Sequence, residues 1–243
     1  MATVDNNMCE FCWSLCFHPH FLSDLFYQGF LPICSDIGGA DEDGDVMDSA
    51  LYILLPKLHR KRCVIPDVMR DLRIHKKVRK KANKYIFSVD SDFDSVVQHC
   101  QKQHGMAWLY PPIVHSLKAI HQRRRPVTSE RSQRARKSSD MDKSTASSSS
   151  CLSEAPSSSQ DPKVSLHSIE VRTVDTNELV AGELGCLVGA CYTSLTGFFN
   201  PDHPGSGTVQ MAALGAYLAT EGLAKMWDLG MDIEYKRDLG ASN

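Results

Sequence analysis

The side chains best suited to chemistry fall in four stretches. Cys9, Cys12 and Cys16 are followed by His18 and His20, residue types that bind zinc. A structural zinc site needs two ligand pairs a loop apart, and no second CxxC exists, so buried thiols in a small apolar layer are the better reading. The acidic stretch 38–48, GGADEDGDVMD, is dense enough for a calcium loop but lacks the glutamate that closes one. A basic run extends from Lys57 to Lys84 and is densest at Lys76, Lys77, Arg79, Lys80 and Lys81. With so little acid to balance it, that run reads as a patch that neutralises phosphates, which specifies a polyanion but not which one. Tyr85, Phe87, Trp108 and Tyr110 lie nearby in sequence; aromatics beside a basic patch suit unstacked bases, although Phe87 reads as core. Finally, Gly205-Ser206-Gly207 feeds a helix, and a glycine turn at a helix N-terminus can hold a phosphate or a nascent oxyanion.

These groups need a frame to hold them. A chain of 243 residues makes one large or two small domains. No run approaches a membrane span, and the first residues lack a secretory signal. The odd count of nine cysteines then reads as reduced thiols in a cytosolic or nuclear protein, with the cytoplasm as the expected location. Pro19, Phe21, Leu22, Leu25 and Phe26 have helical spacing up to Gly29. Pro66 opens a helix striped by Val68, Met69 and Leu72, with a cationic continuation through Ile74 and Val78. A strand is expected at 85–89, then helices at 92–100 and 113–121. From about 126 to 163 the chain is basic and then serine-rich. It has too little apolar surface to offset chain entropy and reads as a disordered insertion in a folded domain.

The stretch 167–195 alternates apolar and polar residues and is broken by Asp175-Thr176-Asn177, Gly182, Gly185 and Gly189. That is the pattern of consecutive antiparallel strands. Glycines inside strands allow close approach, so the sheet is a candidate pocket floor, with an ordinary sandwich core as the plainer reading. A helix at 208–221 carries Ala212, Ala213, Gly215, Ala216 and Ala219, small enough to pack closely on a sheet. A last strand at 225–229 holds Trp227 and Asp228.

Taken in order, several of these motifs resemble the leucyl/phenylalanyl-tRNA–protein transferases. Tyr27-Gln28-Gly29-Phe30-Leu31-Pro32 is similar to the family's Tyr-x-x-Gly-x-Phe-Pro segment, and His75–Lys80 falls at its basic run. Ala107-Trp108-Leu109 sits at its Thr-Trp-Ile. His167-Ser168-Ile169-Glu170 and Glu178-Leu179-Val180-Ala181-Gly182 resemble its His-Ser-Ile/Val-Glu and Glu-Leu-Val-Gly-Gly, and Leu239-Gly240-Ala241 its late Leu-Gly-Ala. The resemblance implies an α+β chain with a small N-terminal α/β domain, 1–105, carrying the tRNA-binding run. A GNAT acyltransferase-like domain, 106–243, would follow, interrupted by the insertion.

The implied activity moves Leu or Phe from aminoacyl-tRNA to the amine of a protein beginning with Arg or Lys. No cofactor, no membrane and a monomer are expected. Asp228 becomes the catalytic candidate. Trp108 would pack near the terminal adenosine and Phe198 would bind substrate, with Glu170 or Glu234 recognising a basic acceptor. The chain departs from the family at several places, among them the tryptophans before the basic run, which are missing around Ile53–Leu55. Asp228-Leu229-Gly230 replaces Asp-Cys-Gln. Leu195 and Gly197 stand where the family has a glutamate and a methionine. The lysine of the following helix falls near Gln210. Two other readings stay open: a non-catalytic RNA binder on the same scaffold, and an acyl-CoA-dependent enzyme.

Overall fold

The computed structural model of the protein describes residues 12–38, 51–59, 61–106, 108–123 and 163–242. Cys9, nearly all of the acidic stretch, and the serine-rich insertion apart from Lys163 lie outside the described residues. The chain is α+β, with seven helices and two sheets among the described residues. Helix α1 (Pro19–Tyr27) precedes an antiparallel pair, β1 (Leu31–Asp36) and β2 (Tyr52–Lys57). Next come β3 (Val64–Ile65), α2 (Val68–Asp71), α3 (Lys76–Ala82), β4 (Tyr85–Val89), α4 (Phe93–His104) and α5 (Pro111–Arg123). The remainder is β5 (Val164–Thr173), β6 (Leu179–Val188), β7 (Cys191–Phe199), α6 (Ser206–Glu221), β8 (Met226–Asp228) and α7 (Glu234–Arg237).

The large sheet runs β3-β8-β7-β6-β5-β4. It crosses the expected 105/106 boundary, because β3 and β4 pair with β8 and β5. The alternation read in 167–195 becomes the meander β5-β6-β7, with positive φ at Asn177 and Gly189 in its turns. Gly182 and Gly185 serve the packing of this meander. A Cβ at Gly182 would lie 2.5 Å from the Ile169 carbonyl, and one at Gly185 would meet the Tyr192 ring. Helices α1, α4 and α5 build one core with Leu166, Leu184 and Phe198. On the opposite face, α6 and α2 build a second core around the fully buried Trp227. Gly215 of α6 makes room for that indole and for Leu72.

The helix expected from Pro66 through Val78 is broken in two. Asp67 caps α2, accepting the Met69 and Arg70 amides, but Leu72 is extended and α3 restarts after His75. Tertiary pairing overrides local propensity here. The Arg73 amide donates to the Leu239 carbonyl, and Gly240, at φ +98°, comes so near the Asp71 carbonyl that a Cβ would sit 2.1 Å from it. The cysteine expectation is corrected in part. Cys16 is exposed and Cys12 half-buried, and all seven described cysteines are free thiols. Among the described residues, no cluster of His, Cys, Asp and Glu suits a metal, and no helix is long and apolar enough to cross a membrane.

Candidate functional site

The only parallel pair of the large sheet among the described residues, β7 with β8, makes the site. The two strands pair at Cys191–Met226, Tyr192–Trp227 and Thr193–Asp228. There β8 ends, while β7 continues to Phe199. The space left beside residues 194–199 is a cleft of about 430 Å³. A strand that outlives its partner leaves backbone groups unpaired. Helix α4 meets part of that need, since His104 Nε2 lies 2.7 Å from the Gly197 carbonyl and the Phe199 amide donates to Gln103 Oε1 at 2.9 Å.

Each wall has its own chemistry. Leu195, Phe198, Phe199, Met211 and Leu229 give an apolar side. Gly205, Gly207 and Thr208 bring the start of α6, which has no side-chain cap, so first-turn amides and the positive end of the helix dipole border the cleft. Lys236 closes the β8 side. Its ammonium donates to the Leu229 and Met231 carbonyls at 2.6 and 2.8 Å, and burial holds its pKa below the ordinary lysine value.

Glu183 of β6 is only 5% exposed yet lines the cleft. Its Oε1 accepts the Tyr192 hydroxyl at 3.1 Å and Ser194 Oγ at 2.9 Å, and its Oε2 accepts Gln210 Nε2 at 3.0 Å. Ser194 in turn accepts the Trp227 indole N–H at 3.0 Å. Burial pushes the Glu183 carboxyl above the usual carboxylate range, while the Gln210, Ser194 and Tyr192 hydrogen bonds pull it back. Gly197 stands opposite Glu183 in the β6–β7 register, and a Cβ there would lie 3.1 Å from Glu183 Cβ. The glycine therefore keeps the facing strand from crowding the Glu183 side chain at its base.

A cationic helix flanks this cleft. No residue of α3 is buried, and Lys76, Lys77, Arg79 and Lys80 are exposed, with no acidic partner among the described residues. Lys81 Nζ donates to the Pro204 carbonyl at the start of α6. A groove between α3 and α6, lined by His75 and Val78, shares Thr208, Met211 and Tyr235 with the cleft, so the two adjoin.

The sequence-derived candidates are not all gathered here. Phe198 lines the cleft and stacks on His99 with ring centroids 4.7 Å apart. Asp228 does not line it. Its carboxylate is gripped by Arg62 Nε at 2.8 and 3.0 Å and accepts the Gly230 amide at 2.8 Å. Trp108 is half-buried against the core of α1, α4 and α5 and does not line the cleft either. Glu170 is fully buried on the α4 side of the sheet, where it accepts four hydrogen bonds, and Glu234 is exposed at the start of α7.

Glu183 was not singled out from sequence, although a signal was present: one carboxylate in the middle of the apolar strand LVAGELGCLV. A charge at such a position must be partnered or face a cavity. No family model matches the chain, and no curated protein matches it.

Proposed function

We propose that this protein is an aminoacyltransferase with a GNAT-like C-terminal domain, moving Leu or Phe from aminoacyl-tRNA to the N-terminal amine of a protein that begins with Arg or Lys. The observation that carries the reading is the placement of the bare cationic helix α3 beside a groove that adjoins the cleft left where β8 ends and β7 runs on. Exposed bases position a nucleic acid through its phosphates without reading sequence, so an RNA seated on α3 would deliver its end to the cleft. The aminoacyl ester is already activated, and alignment of amine with carbonyl supplies much of the rate. Leu195, Phe198, Phe199 and Met211 would receive the Leu or Phe side chain. The first amides of α6 would face the oxygen that becomes negative as the amine attacks. The attacking amine must shed a proton, and Glu183, raised by burial and aimed into the cleft, would take it.

The test is transfer of labelled Leu or Phe from charged tRNA to a peptide beginning with Arg. The expected result is a labelled peptide. Reversing the charge of Lys76, Lys77, Arg79 and Lys80 together should weaken tRNA binding more than tenfold and flatten its salt dependence. Failure of transfer from every charged tRNA overturns the reading. One observation favours a second reading, an RNA-binding protein without the activity: the Asp228 carboxylate is held by Arg62 and the Gly230 amide. That reading expects salt-sensitive RNA binding with no product.

A further inference from the structure

At the C-terminal half of α6, away from the cleft, three side chains stand in a hydrogen-bonded line. Ser165 and His167 are two residues apart on β5, so their side chains leave the same face of the strand. Ser165 Oγ is 2.9 Å from His167 Nε2, and His167 Nδ1 is 2.9 Å from Asp90 Oδ2. The aspartate is fixed from several sides. It sits just past β4 at φ +59°, its Oδ1 accepts the Ser168 amide at 3.1 Å, and its own amide donates to the Ser168 carbonyl at 2.8 Å. His121 faces the same carboxylate, with Nδ1 3.5 Å from Oδ1, and is itself 3.0 Å from the Leu166 carbonyl.

With Asp90 ionised, the His167 proton resides on Nδ1, which leaves the Nε2 lone pair to face the seryl hydroxyl. This is the order nucleophile, base, orienting acid, and the exposure follows it: His167 is 7% exposed, while Ser165 is half-buried. Beside His167 is a small hollow walled by Val89, Leu187, Tyr217 and Leu223, and Leu187 is the register partner of Ser165. At about 10 Å³ that hollow admits no acyl chain, so an acyl group carried by Ser165 would lie on the solvent side of the half-buried hydroxyl.

We propose that Ser165 is an activated nucleophile that accepts a short acyl group from an activated ester, an esterase-type activity separate from the cleft. Ser165 Oγ bonds to the ester carbonyl carbon as its proton passes to His167 Nε2. The adduct collapses by breaking the bond between that carbon and the leaving alcohol, which takes the proton from Nε2. Water then attacks acyl-Ser165 by the same route, releasing the acid and restoring the hydroxyl. Asp90 touches no substrate and acts as a positioning residue for His167.

The full chain is treated with a fluorophosphonate probe and mapped by mass, and with p-nitrophenyl acetate to follow release of nitrophenol. The expected results are a single phosphonyl adduct on Ser165 and a nitrophenol burst. Ser165→Ala should abolish both while the chain still melts cooperatively, within a few degrees of wild type, because one hydrogen bond is lost. Asp90→Asn should slow phosphonylation by roughly three to four orders of magnitude. It should also remove the downfield imidazole N–H resonance, which Ser165→Ala retains. A folded wild-type chain with no adduct on Ser165, or an equal burst from Ser165→Ala, overturns the proposal. Those two results decide it even if Asp90→Asn fails to fold.

Discussion

Two buried glutamates lie on adjacent strands and opposite faces of the same sheet, and they have different fates. Glu170 on β5 faces the α4 side, where its carboxylate accepts the Ser168 and Ser88 hydroxyls and the Asp92 and Ser91 amides at 2.7 to 3.4 Å. Glu183 on β6 faces α6 and accepts two hydroxyls and one side-chain amide. Burial raises both carboxyls above their usual range. The difference lies in what donates and what is left open. Two of the donors to Glu170 are backbone amides at the turn into α4, so that residue fastens β4 to α4. All donors to Glu183 are side chains, and it borders a cleft. A buried carboxylate tied to backbone holds elements together; on the function proposed above, one tied only to side chains beside an opening takes the proton of the attacking amine.

The largest expected effect tests that division on activity. Glu183→Gln should slow aminoacyl transfer by about 10²- to 10⁴-fold, the usual contribution of a positioned acid–base group. The binding of charged tRNA on α3 should be unchanged. The fold should survive, because the amide of Gln210 can turn over and accept from the new Nε2. A variant that transfers at the wild-type rate would remove Glu183 from the chemistry while leaving the transferase reading intact. Measuring tRNA affinity and single-turnover rate on the same preparation separates the two outcomes.

Glu170→Ala should do the reverse. It strands two hydroxyls and two backbone amides in a buried site, at a cost of about 3 kcal/mol or more. For a domain of this size that is roughly a 6–12 °C fall in melting temperature. Hydrogen exchange should quicken first at the Ser91 and Asp92 amides, and the transfer rate of the folded fraction should stay within a few-fold of wild type. A melting temperature equal to wild type would remove that fastening role.

The contrast between these two residues also marks what the sequence made legible. Strands β5, β6 and β7 and helix α6 follow from alternation, turn residues and small side chains, since each obeys a local rule that packing reinforces. The break between α2 and α3 is not local. It depends on Arg73 pairing with Leu239 and on Gly240 lying against Asp71, residues far apart in the chain. The site divides along the same line. The cationic helix was legible because a charge run declares itself. Glu170 drew attention through a motif, yet the motif did not say that its carboxylate would be enclosed. The role of Glu183 depends on how far β7 outruns β8, a length difference that no residue pattern encodes. Gly197 belongs with it, since a side chain there would crowd Glu183 from the facing strand.

The smallest expected effect is a dependence of stability on pH, and its sign distinguishes burial from pairing. A carboxyl whose folded pKa is raised binds its proton more tightly in the folded state than in the unfolded one. Its contribution to stability is then fully present below the unfolded value, about 4.3 for glutamate, and is lost as pH rises through the folded value. Wild type should therefore lose stability relative to Glu183→Gln as pH is raised above about 4.3, because the glutamine carries no charge to desolvate. The two melting curves should be closest in acid and diverge toward neutrality, with the variant the more stable, by no more than a few degrees. If the wild type instead gained on the variant as pH rose, the hydrogen bonds from Tyr192, Ser194 and Gln210 would outweigh desolvation. Glu183 would then be an ordinary paired carboxylate, too weak a base for the amine.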